Sequence, residues 1–134
     1  MTRINTIPAE KLADQHLIAE YRELPRIFPK ARALKPFESV PTYRLGKGHV
    51  LFFYDKLQWL SARHQQLVRE CQNRGFRVKF TDTLTPTQGL NNTWTPTGPD
   101  HALNLSRLRE RLKARPGFYR HRGTLVSDDF YSNL

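Results

Sequence analysis

Apolar residues recurring every three or four positions, in three separate stretches, most constrain how this chain can fold. In the first stretch, Ala13, Leu17, Tyr21, Leu24 and Phe28 fall within an arc of about 80° on a helical wheel. Pro8 suits the first turn of that helix, and Pro25, lacking an N–H, should kink it or end its first segment. In the second stretch, Leu57, Leu60, His64, Leu67, Val68 and Cys71 mark a helix from Lys56 to Arg74, with Asp55 as N-cap and Gly75 as its stop. Leu103, Leu105, Leu108 and Leu112 mark a third helix, His101 to Ala114, ended by Pro116 and Gly117.

The connections are less regular. Pro29 to Pro41 is basic and proline-punctuated, the fraying end of a helix followed by a loop. Gly46-Lys47-Gly48 is a turn, too short and wrongly set for a dinucleotide-binding loop. Val50 to Tyr54 is an apolar run that pattern alone leaves as strand or buried helix. Phe76 to Phe80 reads as a short extended piece, and Thr81 to Pro99 as a long loop of a kind that is often functional. Trp94 within it is expected to pack on the core. The expected layout is one domain over residues 1–123 and a flexible tail over 124–134.

No apolar stretch approaches the roughly 18 residues of a membrane span, and the first residues lack the apolar core of a signal peptide. The expected setting is therefore the cytoplasm, away from membranes. The single cysteine, Cys71, excludes an internal disulfide and a cysteine-based zinc finger, and its helical position predicts burial.

Twenty-two Lys and Arg against twelve Asp and Glu leave a formal charge of +10, which points to a polyanion, most often nucleic acid. Arginine predominates, favouring forked contacts to phosphate. On the third helix Arg107, Arg109, Arg111, Lys113 and Arg115 make a nearly all-cationic polar side. The following Phe118, Tyr119, Arg120, His121 and Arg122 interleave rings with charges, as surfaces that hold bases and backbones do.

On the first helix Gln15, His16, Arg22, Glu23 and Arg26 share an arc of about 120°, apart from the apolar stripe. A lone glutamate on a helix is ordinarily surface decoration, and an Arg22–Glu23–Arg26 ion pair would account for this one. A carboxylate on a phosphate-binding face nevertheless repels the ligand, unless it stabilises positive charge developing on a sugar. Thr2 is small enough that Met1 is normally removed, which would free an α-amine. Such an amine has a pKa of about 7.7–8.0 against about 10.4 for lysine, so far more of it is neutral near pH 7. Arg3 beside it would lower that value further. A neutral amine can attack the anomeric carbon of deoxyribose, expel the base and leave an imine, after which β-elimination cuts the strand.

These residues resemble a known family. T-R-I-N at 2–5, L-A-D-Q-H-L-I-A-E-Y-R-E-L-P-R at 12–26, P-T-Y-R-L-G-K-G-H-V-L-F-F-Y-D-K-L at 41–57, E-C-Q-N-R-G-F at 70–76 and R-L-R-E-R-L-K-A-R-P at 107–116 are similar to the phage-type pyrimidine-dimer DNA glycosylases. That family was historically called endonuclease V, and is unrelated to the deoxyinosine-cutting enzyme. The resemblance implies an all-α fold, a compact single domain of three main helices with long irregular loops, acting as a monomer without metal or cofactor. It implies glycosylase and abasic-site lyase activity on pyrimidine dimers in duplex DNA, with Thr2 attacking and Glu23 assisting imine formation and proton transfer. Arg3, Gln15, His16, Arg22 and Arg26 match the family's DNA-contacting face, and Arg107 and Arg111 match basic third-helix positions. Arg115, Phe118 and Tyr119 join the expected DNA-binding set through the charge and aromatic pattern above. The family bends its duplex and turns out an adenine opposite the lesion.

The chain departs from the pattern at F-Y-R-H-R-G, 118–123, where the family has W-Y-K-Y-Y-G, so His121 and Arg122 stand in place of rings. The segment from Lys30 to Val40 is shorter than the family's, and Phe80 to Pro99 shows little match. Two other readings stay open on the residues: a lyase mainly for abasic sites or other damaged bases, and a DNA-bending protein without chemistry.

Overall fold

The protein, seen in a computed structural model, is described over residues 4–33, 42–45, 49–79, 81 and 92–132, without the side chains of Arg32, Val50 and Leu51. Its architecture is all-α. After a 3-10 turn at Ala9–Lys11 come α1 (Asp14–Glu23), α2 (Ile27–Ala33), α3 (His49–Phe53), α4 (Leu57–Asn73) and α5 (Gly98–Ala114). A two-residue-per-strand hairpin, β1 (Arg120–His121) and β2 (Thr124–Leu125), follows α5.

Pro25 leaves its expected mark. Its ring crowds the preceding turn and it has no N–H to offer, so α1 gives way to a 3-10 turn at Leu24–Arg26 before α2 resumes the helix. The five apolar residues of the first stripe, Ala13 to Phe28, are all buried. Near the start of α4 the N-cap falls on Lys56 and not on Asp55, whose carboxylate instead holds the Lys56 ammonium at 2.9 Å. The far end closes as anticipated. Gly75 adopts φ +79°, its N–H reaches the Gln72 carbonyl at 3.0 Å, and the Phe76 N–H reaches that of Cys71 at 2.9 Å. Cys71 is fully buried.

Helix α5 starts earlier than periodicity indicates, because Thr97 and Asp100 form a reciprocal capping box that nucleates a turn ahead of the leucines. Leu105, Leu108 and Leu112 are buried, whereas Leu103 is exposed. Val50 to Phe53 belong to a short helix, α3, with Tyr54 in the turn that follows, and a strand is excluded. Its Phe52 and Phe53 meet Tyr43, Trp59 and Trp94 in one aromatic cluster. Trp94 stacks on Tyr43 at 5.3 Å and meets Trp59 edge-on at 4.8 Å, so it packs on the core as expected. Of the long loop, residues 82–91 lie outside the described residues, as do 34–41 and 46–48.

The stretch from Thr124, read in the sequence as a loose tail, returns to the body of the protein. Tyr131 is fully buried, its hydroxyl accepts the Ala13 N–H at 2.8 Å, and Arg109 donates to its carbonyl at 3.1 Å. A polar-looking stretch is packed here through one aromatic ring, which single-residue composition does not reveal. Among the described residues no helix is long and apolar enough to cross a membrane.

Candidate nucleic-acid interface

The segment that leads into α1 is fixed one backbone group at a time. The Ile4 N–H donates to His49 Nε2 at 2.8 Å, the Asn5 N–H to Glu20 at 3.2 Å, and the Thr6 N–H to Asn104 at 3.2 Å. The Ile4 carbonyl accepts the Tyr43 hydroxyl at 2.9 Å, and Asn104 donates back to that hydroxyl. His49 donates its Nδ1–H to the Arg44 carbonyl at 2.8 Å, which leaves Nε2 bare to receive Ile4. Burial dominates the Tyr43 hydroxyl and pushes its pKa well up, against the opposing Asn104 hydrogen bond. The site-determining residues here, His49, Glu20, Tyr43 and Asn104, escaped the sequence reading. Glu20 carried a signal: it sits about 20° from Ala13 on the apolar arc, where a carboxylate needs a buried partner. That partner is Arg63, whose guanidinium meets both Glu20 oxygens at 2.8 Å.

Beside this anchored segment lies a cleft of about 280 Å³ between α1, α5 and the chain after α5. Its lining joins Asn5, Gln15, His16 and Ala19 to Arg111, Arg115, Phe118 and Tyr119, six of them residues singled out by sequence. Gln15 acts as a bracket: its amide donates to the Phe118 carbonyl and accepts the Arg120 N–H, both at 3.0 Å. Its hydrogen-bonding groups thus hold the cleft's far wall. His16 is buried, with its ring 4.6 Å from that of Tyr119 and Nδ1 2.8 Å from the Tyr131 hydroxyl. Arg115 lies over the Phe118 ring at 3.6 Å, a cation–π contact at the exposed mouth. Phe118 is exposed, while Tyr119 is buried and serves as wall.

Glu23 stands two turns along α1 from Gln15, about 12 Å at 1.5 Å per residue. Its carboxylate is 3.4 Å from Arg26, in a pair with side-chain exposures of 29% and 66% for Glu23 and Arg26. So open a pair contributes about 0–1 kcal/mol and is easily opened by a ligand. Arg22 is exposed and borders a neighbouring hollow with Arg77. On α5, Arg107 pairs loosely with Glu110 at 3.6 Å, one turn from Arg111. Arg109 leaves the expected cationic surface to hold the Tyr131 carbonyl. Thr2 and Arg3 lie outside the described residues.

His121 and Arg122, the departures from the aromatic pattern, dock the hairpin. His121 Nε2 donates to the Glu10 carbonyl at 2.9 Å, and Arg122 reaches Glu70 at 3.3 Å. Arg122 takes φ +52° ahead of Gly123 at +83°, the pair of left-handed residues that a tight hairpin turn requires. Asp14 holds the turn by accepting both of its N–H groups at 2.9 Å, and takes Arg74 at 2.8 Å. Burial alone would raise the Asp14 pKa, but the Gly123 and Arg122 N–H bonds and Arg74 outweigh it and hold the carboxyl below its ordinary value.

An arginine- and aromatic-lined cleft on a helical domain has the chemistry that suits a nucleic-acid ligand. The model of the pyrimidine dimer DNA glycosylase family matches residues 1–84, and the chain belongs to that family. It is accordingly a DNA-repair protein whose partner is damaged DNA. The match spans the anchored segment and α1 to α4; α5 and the opposite wall of the cleft lie beyond it.

Proposed function

We propose that the protein removes pyrimidine dimers by an N-terminal amine on Thr2, freed of Met1, and then cuts the strand as an abasic-site lyase. The amine's lone pair forms a bond to C1′ as the bond from C1′ to the base breaks, its electrons and a proton going to the base. Opening of the sugar ring gives the imine. Loss of a C2′ proton then expels the 3′ phosphate. Glu23 stabilises the cationic sugar and carries protons. Arg22, Arg26, Arg107, Arg111 and Arg115 hold phosphates, and Phe118 offers a ring to a base. Arg3 belongs to the same face by resemblance.

The observation that carries this reading is the row of three anchored N–H groups at Ile4, Asn5 and Thr6 beside the cleft. Covalent geometry keeps the Thr2 nitrogen within about 7 Å of that of Ile4. A nucleophile at the end of a chain has to be held, and the segment just after the proposed one, Ile4 to Thr6, is held by buried side chains from three helices and Tyr43. Borohydride trapping on dimer-containing duplex tests the imine: processed protein should become covalently bound, and its failure to do so rejects the mechanism. Intact mass establishes whether Met1 is gone. Glu23→Gln should bind DNA and lose cleavage. Equal or faster cleavage of abasic duplex, with none at dimers, would favour a lyase of broader range.

A further inference from the structure

The hydroxyl of Tyr131 has a consequence for the cleft. It is fully buried, and it accepts the Ala13 N–H at 2.8 Å. Its own proton therefore needs an acceptor, and His16 Nδ1 stands 2.8 Å away. A donor at Nδ1 would leave the tyrosine proton buried with nothing to bond. With Nδ1 bare only the buried Nε2–H lacks a hydrogen bond, whereas with Nδ1 protonated both the tyrosine proton and the Nε2 lone pair would, so the accounting favours the ring proton on Nε2. His49 shows the opposite arrangement in the same molecule, with Nδ1–H given to a carbonyl and Nε2 bare.

We infer that Tyr131 is a positioning residue for the DNA-facing cleft: it fixes His16 as the neutral Nε2–H tautomer and sets the plane of its ring against Tyr119. The hydroxyl is well suited to this. Burial pushes its pKa far up, against the lowering bond from Ala13, so it remains a donor across the working pH range. The Arg109 contact to the Tyr131 carbonyl and the packing of Phe130 on the Tyr131 ring at 4.8 Å fix the tyrosine from behind. His16 Nε2 is itself buried, so the ring serves the cleft through its packing against Tyr119 at 4.6 Å and not by touching DNA. The functional part rests on reading the cleft as the DNA surface; the tautomer does not.

The test is 15N-resolved NMR of the histidine rings together with kinetics. In the wild-type free protein at neutral pH, His16 should show a protonated Nε2 and a bare Nδ1; the reverse pattern overturns the inference without any variant. Tyr131→Phe keeps the ring and removes the donor, and should turn that signature into mixed tautomers. On dimer-containing duplex it should raise KM several-fold, with a smaller change in kcat. Arg109→Gln loosens the same segment without touching the hydroxyl, and should leave the His16 signature as in wild type. A Tyr131→Phe protein that keeps the pure Nε2–H signature, or an Arg109→Gln protein that loses it, makes Tyr131 a mere tail anchor and refutes the proposal. If wild-type protein shows the tautomer and yet no borohydride-trapped complex, the reading of the mechanism fails and the tautomer stands.

Discussion

Replacing Glu20 by Gln should unsettle both the fold and the chemistry, and the two effects can be separated. Glu20 and Arg63 are an ion pair with side-chain exposures of 0% and 5%, joined by two bonds of 2.8 Å. Glu20→Gln keeps the shape and removes the charge, leaving a buried guanidinium without its counterion. Breaking one side of such a pair costs about 3–5 kcal/mol. Against a typical total of about 5–15 kcal/mol, that is a large share of the stability. For a chain of this length it corresponds to a fall in Tm of roughly 10–20 °C. Replacing both residues by Met removes the uncompensated charge, and an apolar exchange of this kind is often near neutral. What the double variant cannot restore is the acceptor for the Asn5 N–H and side-chain amide, at 3.2 and 3.3 Å from Glu20, worth about 1–3 kcal/mol. The Glu20→Met/Arg63→Met protein should thus melt well above Glu20→Gln, while on the proposed mechanism its single-turnover borohydride trapping stays at least about tenfold slow because the segment from Ile4 to Thr6 has lost one of its anchors. Calorimetry and trapping at saturating DNA read the two effects. A double variant that recovers stability and traps at the wild-type rate would refute the positioning role. A loss below about 1 kcal/mol in Glu20→Gln would refute the buried-pair argument.

Other consequences are open to direct measurement. Because the Asp14 carboxyl is depressed in the folded state, its contribution is fully present above the ordinary aspartate pKa near 3.8 and is lost as pH falls through the lower folded value. Asp14→Asn should lower stability by about 1.5–3 kcal/mol at pH 7, a difference from wild type that shrinks in acid unfolding curves. Cys71, fully buried and with its thiol pushed up to about 11 by desolvation, should resist a thiol reagent at pH 8 until the protein unfolds. Gln15→Ala removes both arms of the bracket, so amide exchange at Arg120 should quicken, and DNA affinity should fall even though Gln15's bonds go to the protein. Neutralising Arg115 should reduce the slope of log affinity against log salt by about one.

Sequence periodicity placed the three long helices because their buried residues are apolar and regularly spaced. Pro25 and Gly75 were legible for the same local reason: each restricts or frees the backbone in a way no neighbour can override. The capping box at Thr97 and Asp100 was also written locally, but leucine spacing drew attention three residues downstream. Gln15, His16, Arg111, Arg115, Phe118 and Tyr119 do converge on one cleft. Their individual tasks were not legible, since Gln15 and His16 are committed to partners more than 100 residues away. His49, Tyr43 and Asn104 carry no periodic signal at all. Each looks like an ordinary polar residue until the fold brings Ile4 and Thr6 against it. Tyr131 is the same case, hidden in a stretch whose composition reads as solvent-loving.

The aromatic cluster bears on how this protein can be watched. Its two tryptophans, Trp59 and Trp94, are 4.8 Å apart in that cluster, and neither lines the cleft. Intrinsic emission therefore originates from one spot, quenched and red-shifted together when the core opens. Unfolding should change tryptophan fluorescence strongly and docking of DNA hardly at all. An optical binding assay needs its dye on the DNA or near Phe118.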